Sequence, residues 1–432
     1  MNHDGTVPTP AADEPDRRVR RATFVGAVVG ALLLGIVLGA VGATVLGGED
    51  TPAPAGSPVA TDETSPSDPT PDASEPAPTS TASAAQLPAE GFLATDGARI
   101  VDSDGSTVVL KAVNWFGFET ETCSPHGLWT RSLDDVLDQI RDFGFTTIRL
   151  PFSNQCVGGA APSSIDENQN PTLAGKSTLE IMDAVVAGAQ ARGMTILLDR
   201  HRPGSDQQSE LWYTDAYPEE VWIEDWVMLA ERYRDDPTVI GADLHNEPHG
   251  TACWGCGDET RDWAAAATRA GDAIGEVHPD WLIVVEGVET MEDGTATWWG
   301  GGLADVRERP VELAVPGRVV YSTHEYPESV YAQPWFSAAD YPDNLEPLWD
   351  AHWGYLVAED IAPVFVGEFG TLYESESDRA WLARLVPYLR DGGFSFAYWS
   401  YNPNSSDTGG LVQDDWVTPQ QEKLDAIAPL LD

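Results

Sequence analysis

Two glutamates stand out because each follows an apolar run that predicts a buried strand. Glu247 lies in the segment Leu-His-Asn-Glu-Pro at 244–248, and Glu368 lies in Val-Gly-Glu-Phe-Gly at 366–370. An unpaired carboxylate is costly to bury, so neither glutamate is suited to a core. Two carboxyls that face one cavity can cleave a glycosidic bond, since one protonates the leaving oxygen while the other attacks the sugar or activates water. The Arg149 guanidinium would keep one carboxyl ionised, while the other, in a more apolar spot, stays protonated.

The residues from 89 to 432 alternate β-type runs with amphipathic helices, and this pattern must position the two glutamates. Ser132 and Ser177 each start a helix in capping-box form, with an acid three residues later. Alternating βα units of this number predict a closed parallel (β/α)8 TIM barrel, an α/β fold. An open doubly wound sheet gains no support, because no G-x-G-x-x-G turn follows the first strand. The eight predicted strands are Val108–Val113, Thr146–Leu150, Met194–Asp199, Thr238–Leu244, Leu282–Glu286, Val319–Thr323, Val364–Gly367 and Phe394–Trp399.

Reactive side chains of a βα barrel project from the C-terminal ends of the strands. Nearly every predicted strand ends in a polar or aromatic residue. One such residue alone could be a solvated loop position, but eight strands ending this way indicate a shared rim. The strand-end residues are Asn114, Trp115, Arg149, His201, Asn246, Glu247, Glu286, His324, Tyr326, Glu368 and Trp399.

The segments around these residues resemble glycoside hydrolase family 5, the cellulase A family, and most closely the catalytic domains of secreted actinobacterial endo-β-1,4-glucanases. The resemblance covers nearly all of residues 90–432 and rests most firmly on Asn-Glu-Pro and Gly-Glu-Phe-Gly. It implies a (β/α)8 barrel and retaining hydrolysis of β-1,4-glucan without a cofactor or metal. The matching segments lie at 114–119, 147–151, 198–203, 243–248, 285–288, 367–370 and 407–410.

The resemblance also implies a role for each matching residue. Glu247 would be the general acid/base and Glu368 the nucleophile, held ionised by Arg149 and hydrogen-bonded by Tyr326. Asn246 would contact the 2-hydroxyl of the sugar being cleaved. Retention requires the two carboxyls to lie about 5–5.5 Å apart, because no water has to fit between nucleophile and sugar. The residues that line this subsite would be His201, His324 and, as its stacking floor, Trp399.

Other aromatic residues have two interpretations. Those in predicted rim loops could form further glucose subsites, because the faces of a pyranose suit flat rings. Gln333, beside Trp335, is a candidate polar partner there, and Glu286 is a candidate hydrogen-bonding support outside the catalytic pair. The rim set comprises Trp115, Trp212, Trp298, Trp299 and Trp335, whereas Trp222, Trp226, Trp263, Trp349 and Trp381 lie on helical patterns and are predicted to be core.

Four cysteines allow two disulfides on an oxidising side of a membrane. Cys253 and Cys256 are close enough to pair within one loop, and Cys123 and Cys156, after the first and second strands, are natural partners. A zinc site is the alternative, but only one C-x-x-C pair exists, without a second pair at ligand spacing.

The composition argues against one class of ligand and favours another. The chain has 24 basic and 70 acidic residues and a formal net charge of −46, which argues against binding nucleic acid. Sixteen tryptophans in an acidic chain suit a neutral, stackable ligand such as a sugar ring.

The N-terminal part predicts a membrane location. Residues 1–21 carry an arginine cluster that should stay in the cytoplasm, and the uncharged run at 22–46 is long enough to cross the ~30 Å hydrocarbon core. This run is either an uncleaved anchor or a signal segment cleaved after Ala43. Residues 47–88, rich in Pro, Ser and Thr, predict a disordered linker to the catalytic barrel at 89–432. The barrel would then lie on the extracellular face of the membrane, or be secreted.

These observations favour a retaining endo-β-1,4-glucanase that works as a monomer on a β-1,4-glucan polysaccharide. A β-mannanase or a hydrolase of mixed-linkage glucan or xyloglucan would share the same catalytic residues and differ only in outer subsites. A non-catalytic glycan-binding protein on the cell surface is a third interpretation, but both glutamates and their supporting residues are present.

Overall fold

The computed structural model describes Leu87, Ala89 and residues 91–432. The predicted cytoplasmic segment at 1–21 and membrane segment at 22–46 lie outside this part of the chain, as does the predicted linker except for Leu87. Among the described residues, no helix combines the length and the apolar character that a bilayer crossing requires. The three N-terminal assignments therefore stay predictions.

A closed barrel of eight parallel strands forms the centre of the described domain. Each strand pairs with the next along the chain, and the last pairs with the first. The predicted (β/α)8 architecture is thereby confirmed. The strands are β4 (Lys111–Asn114), β5 (Thr147–Ser153), β6 (Thr195–Arg202), β7 (Val239–Asp243), β8 (Leu282–Glu286), β9 (Val319–Glu325), β10 (Val364–Phe369) and β11 (Ser395–Tyr398).

A small antiparallel sheet precedes the barrel and was not predicted. Its strands are β1 (Ala94–Asp96), β2 (Arg99–Val101) and β3 (Thr107–Val108). The first predicted strand, Val108–Val113, is therefore divided, since its start belongs to β3 and the barrel strand begins at Lys111. The apolar residues of this sheet pack with the first inward-facing residues of the barrel strands, so the sheet closes the N-terminal end of the barrel. This bottom core comprises Leu93, Ile100, Leu110, Ala112, Leu197, Ile240, Leu282, Val284, Val320, Phe365 and Ala397.

Helices surround the barrel, and several of them begin at a Ser or Asp whose side chain caps the helix. Ser177 forms the predicted capping box with Glu180. At Ser132 only half of the predicted box forms, since its hydroxyl accepts a hydrogen bond from the backbone N–H of Asp135 without the reciprocal bond. The helices are α1 (Leu133–Asp142), α2 (Asn154–Val157), α3 (Thr178–Ala191), α4 (Glu219–Arg232), α5 (Trp263–Val277), α6 (Leu345–Trp349), α7 (Tyr355–Ala358), α8 (Glu376–Gly392) and α9 (Gln421–Leu431), with short helical turns at Ala304–Arg307, Pro334–Ser337 and Asp350–Gly354.

The larger apolar core lies between the barrel and these helices. The five tryptophans predicted to be core are all fully buried: Trp222, Trp226, Trp263, Trp349 and Trp381. Trp212 is fully buried as well, so its assignment to a sugar subsite was wrong. Its indole N–H donates to Glu219 at the start of α4 at 2.7 Å, which turns the ring into the core.

Both predicted disulfides are present, between Cys123 and Cys156 and between Cys253 and Cys256. The first ties the loop after β4 to α2, which follows β5. The second closes a short loop beyond Glu247. All four sulfurs are used in these bonds, so the alternative of a zinc site on these cysteines is wrong.

Candidate active site

Alternation along the barrel strands brings the polar residues to one end of the barrel interior. In a strand, every second side chain faces the same side. On β8, Leu282 and Val284 pack in the bottom core and Glu286 follows two residues later. On β9, Val320 lies in the bottom core and His324 follows at the same parity. The apolar ends of these strands therefore close the barrel floor, and their polar ends open on the rim.

Glu368 reaches the interior through an irregularity in β10. Phe365 faces the bottom core and Val366 packs on the outside, so regular alternation would point Glu368 outward as well. The register of β10 against β9 shifts between Val366 and Glu368, which turns the glutamate inward. Gly367 permits this close passage, because a Cβ at that position would lie 2.6 Å from the Ser322 hydroxyl.

Arg149, fully buried on β5, is the centre of the polar cluster. Its guanidinium makes charge-assisted contacts with four carboxylates and two amide oxygens. These contacts fix the position of the guanidinium and engage all three of its nitrogens, so that none is left to donate to solvent. The partners are Asp243 (Nε, 2.8 Å), Glu368 (Nη1, 2.7 Å), Asp199 (Nη1, 3.1 Å), Asn114 (Nη1, 3.0 Å), Asn246 (Nη2, 2.8 Å) and Glu286 (Nη2, 3.2 Å).

Burial dominates the protonation of the acids around Arg149. It raises the pKa of Asp199 and of Asp243 to about 7 and that of Glu286 to about 8, although the positive charge of Arg149 acts in the opposite direction. Burial also disfavours the charged guanidinium, but the surrounding carboxylates outweigh it and raise the pKa of Arg149. The arginine thus stays charged at the base of the site.

Glu368 lies against this charge with both oxygens occupied. Oε1 accepts from Arg149, and Oε2 accepts from the Tyr326 hydroxyl at 2.5 Å. Burial and the charge of Glu368 raise the pKa of Tyr326 well above its usual value, so the phenol keeps its proton and donates it. This arrangement stabilises an ionised, oriented carboxylate, as a nucleophile requires.

Glu247 is the more exposed of the two glutamates, with 19% of its side chain accessible. His324 Nδ1 lies 3.0 Å from its Oε1, and Gln208 Nε2 donates to its Oε2 at 3.2 Å. Oxygens of Glu247 and Glu368 lie within 4.8 Å of each other. That separation matches the retaining geometry, whereas an inverting pair is held about 6.5–9.5 Å apart to admit water.

His324 lies between the two glutamates, in surroundings that favour the protonated form of its ring. Its burial lowers its pKa, but the charges of Glu286 and Glu368 outweigh this and raise the pKa well above the usual value. Glu247, His324 and Glu368 each offer one atom at metal-ligand spacing. A protonated imidazole has no lone pair to donate to a cation, so these three residues fit a carboxylate pair better than a metal site.

His201 and Trp399 form an aromatic wall beside the carboxylates. The rings of His201 and Trp399 stack with centroids 5.2 Å apart and an interplanar angle of 10°. Burial lowers the pKa of His201, so its ring is neutral, and its Nδ1 lies 2.7 Å from Asp199. With its proton on Nδ1 and donated to Asp199, the ring presents Nε2 as an acceptor for a sugar hydroxyl. Trp399 also stacks on Phe116, at 5.4 Å.

The structure brings most of the predicted site residues together, but not all. Asn246 contacts Arg149 through its oxygen, and its buried Nδ2 has no partner among the described residues. Trp299 is 42% exposed, and its ring stacks on the His249 ring with centroids 3.7 Å apart. An exposed aromatic ring held in place in this way is typical of a sugar-binding platform. Gln333 is half-buried, and its Nε2 donates to the Thr297 carbonyl at 3.5 Å.

The assignment of Trp115 to a sugar subsite was wrong. Its side chain is fully buried, and its indole N–H donates to the His126 carbonyl at 2.9 Å. An aromatic ring without accessible surface cannot stack on a pyranose. Trp298 is also almost fully buried, packed edge-to-face against Tyr326 at 5.9 Å, and so supports the site from behind.

Sequence reasoning missed several residues that contact the catalytic groups. Asp199 and Asp243 are buried partners of Arg149, and Gln208 holds Glu247. The position of Asp199 could have been predicted, because it lies two residues before His201 and so faces the same side of β6. Gln208 lies in a loop, where no periodicity indicates its direction.

The rim of this parallel (β/α)8 barrel holds two carboxylates at this separation, and one of them accepts hydrogen bonds from an arginine and a tyrosine. These features define the class of retaining glycoside hydrolases. The family model described as cellulase (glycosyl hydrolase family 5) matches residues 101–405. The chain belongs to this family.

Individual relatives agree with this membership. The chain is 50% identical over 347 residues to an endoglucanase of Paenibacillus polymyxa, across 79% of this chain and 87% of the relative. It is 39% identical over 350 residues to the major extracellular endoglucanase of Xanthomonas campestris pv. campestris, across 79% and 72%. A hyperthermophilic endocellulase of the archaeon Pyrococcus horikoshii superposes with a TM-score of 0.76 at 40% identity, covering 80% of this chain and all of that one. The finer resemblance to actinobacterial catalytic domains stays a prediction.

Proposed function

We propose that this protein is a retaining endo-β-1,4-glucanase that cleaves internal bonds of cellulose or related β-glucans. The observation that carries the proposal is the pair Glu247 and Glu368, with carboxylate oxygens within 4.8 Å of each other at the barrel rim. The relatives support the substrate class, since they are named endoglucanases, and the Pyrococcus horikoshii endocellulase has been solved in complexes with cellotetraose.

In the first step, Glu368 attacks the anomeric carbon and forms a covalent glycosyl ester. The bond to the leaving oxygen breaks as Glu247 donates its proton to that oxygen. Arg149 and Tyr326 keep the attacking carboxylate ionised and aimed, at 2.7 and 2.5 Å. Glu247 suits the acid role because the substrate can reach it and it has no contact with Arg149 among the described residues. The more apolar surroundings expected from the sequence are not found, since the His324 ring and the Gln208 amide face this carboxyl.

In the second step, water replaces the departed sugar. Glu247, now a carboxylate, takes a proton from this water, whose oxygen attacks the anomeric carbon and releases Glu368. The unpartnered Nδ2 of Asn246 supplies a donor for the sugar 2-hydroxyl, where hydrogen bonds strengthen in the oxocarbenium-like transition state. His201 Nε2 supplies an acceptor on the same wall, and Trp399 supplies an aromatic face.

Cello-oligosaccharide hydrolysis followed by anomer-resolved NMR tests this proposal. We expect the newly formed reducing end to appear first as the β-anomer, because two displacements restore the original configuration, and the α-anomer to grow only by mutarotation. Initial formation of the α-anomer would contradict the retaining geometry. Manno-oligosaccharides of the same length are the matched control, and faster cleavage of these would overturn the glucan assignment in favour of a mannanase.

We also propose that residues 22–46 place the catalytic domain outside the cell, as a membrane-anchored or secreted monomer. The support is the arginine cluster before a long uncharged run, together with two disulfides in the barrel domain and the extracellular name of the Xanthomonas relative. Fractionation of cells that express the full chain should place glucanase activity in the membrane or in the medium. Activity confined to the cytoplasm would contradict the proposal.

A further inference from the structure

The backbone of Glu247 is held in an unusual conformation. Its φ is 56°, in the left-handed region that non-glycine residues adopt at a cost of order 1–3 kcal/mol. Such a conformation persists only where the surroundings fix it. Here the backbone N–H of Glu247 donates to Glu286 Oε2 at 2.7 Å, and its carbonyl lies 2.6 Å from His249 Nδ1.

Glu286 connects this backbone to the two cations of the site. The side chain is fully buried at the end of β8. While Oε2 accepts from Glu247, Oε1 lies 3.2 Å from Arg149 Nη2 and 3.3 Å from His324 Nε2. His324 in turn presents Nδ1 to the Glu247 carboxyl at 3.0 Å. Glu286 thus contacts the backbone of Glu247 directly, and it contacts the side chain of Glu247 through the imidazole of His324.

Gly300 covers the contact between Glu286 and Glu247. Its φ is +67°, and a Cβ there would lie 2.2 Å from Glu286 Oε2 and 3.3 Å from the Glu247 Cα. Its backbone also bonds on both sides, since its N–H donates to the Pro248 carbonyl at 3.2 Å and its carbonyl accepts from Gly287 at 2.9 Å. A side chain at position 300 would therefore displace the Glu286 carboxyl without removing it.

We propose that Glu286 is a positioning residue for the general acid/base. It fixes the left-handed backbone of Glu247 through the backbone N–H, and it holds the His324 ring so that Nδ1 faces Glu247 Oε1. This inference rests on the proposed function and deepens it. Glu286 acts through Glu247 and His324, and it reaches the nucleophile only indirectly, through Arg149 and through His324, whose Nδ1 lies 3.5 Å from Glu368 Oε2.

The test compares two substrates in Glu286→Gln and Gly300→Ala. For cellotetraose, whose leaving group must be protonated, we expect kcat/KM to fall roughly 10²-fold with little change in KM, the size of effect that a small misplacement of a catalytic group produces. For dinitrophenyl β-cellobioside, whose leaving group needs no proton, we expect kcat/KM to fall less than about tenfold.

Asp262→Asn is the matched control. Asp262 is also a buried carboxylate that accepts backbone N–H groups, from Gly255 and Gly257, but it has no contact with Glu247. We expect its replacement to lower thermal stability while the ratio of the two kcat/KM values stays that of the wild type.

The outcomes separate this inference from the proposed function. If the wild-type enzyme does not cleave cellotetraose, the proposed function fails. If the wild type is active but Glu286→Gln and Gly300→Ala lose both substrates equally, or retain both fully, the positioning role is wrong. If neither variant folds, Glu286 has a structural role instead, and the inference is also overturned.

Discussion

Replacement of Glu368 by glutamine is expected to abolish hydrolysis of every substrate. The amide keeps the size of the side chain but cannot attack the anomeric carbon, and one of its oxygens is replaced by a donor that faces either Arg149 or Tyr326. Removal of a catalytic nucleophile costs on the order of 10⁴- to 10⁶-fold in kcat, or about 5–8 kcal/mol of transition-state stabilisation. A loss of this size should appear equally with cello-oligosaccharides and with activated aryl cellobiosides.

Intact mass spectrometry with a 2-fluoro cellobioside provides the direct readout. The wild type should gain the mass of one fluorinated cellobiosyl group, on the peptide that contains Glu368, and Glu368→Gln should gain none. Glu325→Gln is a suitable control, because this buried carboxyl lies on the neighbouring strand and faces the indoles of the outer core instead of the sugar. A glycosyl adduct on the Glu368→Gln variant would show that another residue is the nucleophile.

The barrel could be predicted from the sequence because its signals are local. Each strand is a short apolar run, several of the intervening helices start at a capping Ser or Asp, and β8 was placed at Leu282–Glu286 with both ends as observed. The ends of buried parallel strands point to one rim by topology alone. Arg149, His201 and Glu247 therefore lie at the rim that the pattern indicated.

The errors share a different origin, since each depends on contacts distant in sequence. The small N-terminal sheet forms because Ile100 and its neighbours cover the barrel floor, a surface that exists only after the barrel closes. Trp115 is turned into the core by a hydrogen bond to His126. The inward direction of Glu368 depends on the register shift in β10, which no periodicity within the strand reveals.

The cluster around Arg149 explains why two similar glutamates can take different roles. Glu368 contacts the guanidinium and a phenol, whereas Glu247 contacts an imidazolium and a neutral amide and is partly open to solvent. The first environment stabilises a fixed negative charge. The environment of Glu247 allows its carboxyl to lose and regain a proton, because water and the substrate can reach it. The division of labour therefore follows from the elements that carry each residue.

Replacement of Glu247 by alanine is expected to separate the two chemical steps. Hydrolysis of cellulose should fall by about 10²- to 10⁴-fold, the usual contribution of a general acid/base, because an unprotonated sugar alkoxide leaves poorly. Dinitrophenyl β-cellobioside should still form the covalent intermediate at nearly the wild-type rate, since its leaving group needs no proton. The intermediate should then accumulate, because water is no longer activated, and a burst of dinitrophenolate should precede slow turnover.

Azide provides the decisive addition to this experiment. It enters the space left by the Glu247 side chain and attacks the anomeric carbon, so that glycosyl azide of β configuration is released and Glu368 is regenerated. The β configuration follows because Glu368 holds the opposite face. If Glu247→Ala instead abolishes the burst, or if azide yields the α product, then Glu247 is the nucleophile and the roles of the two glutamates must be exchanged.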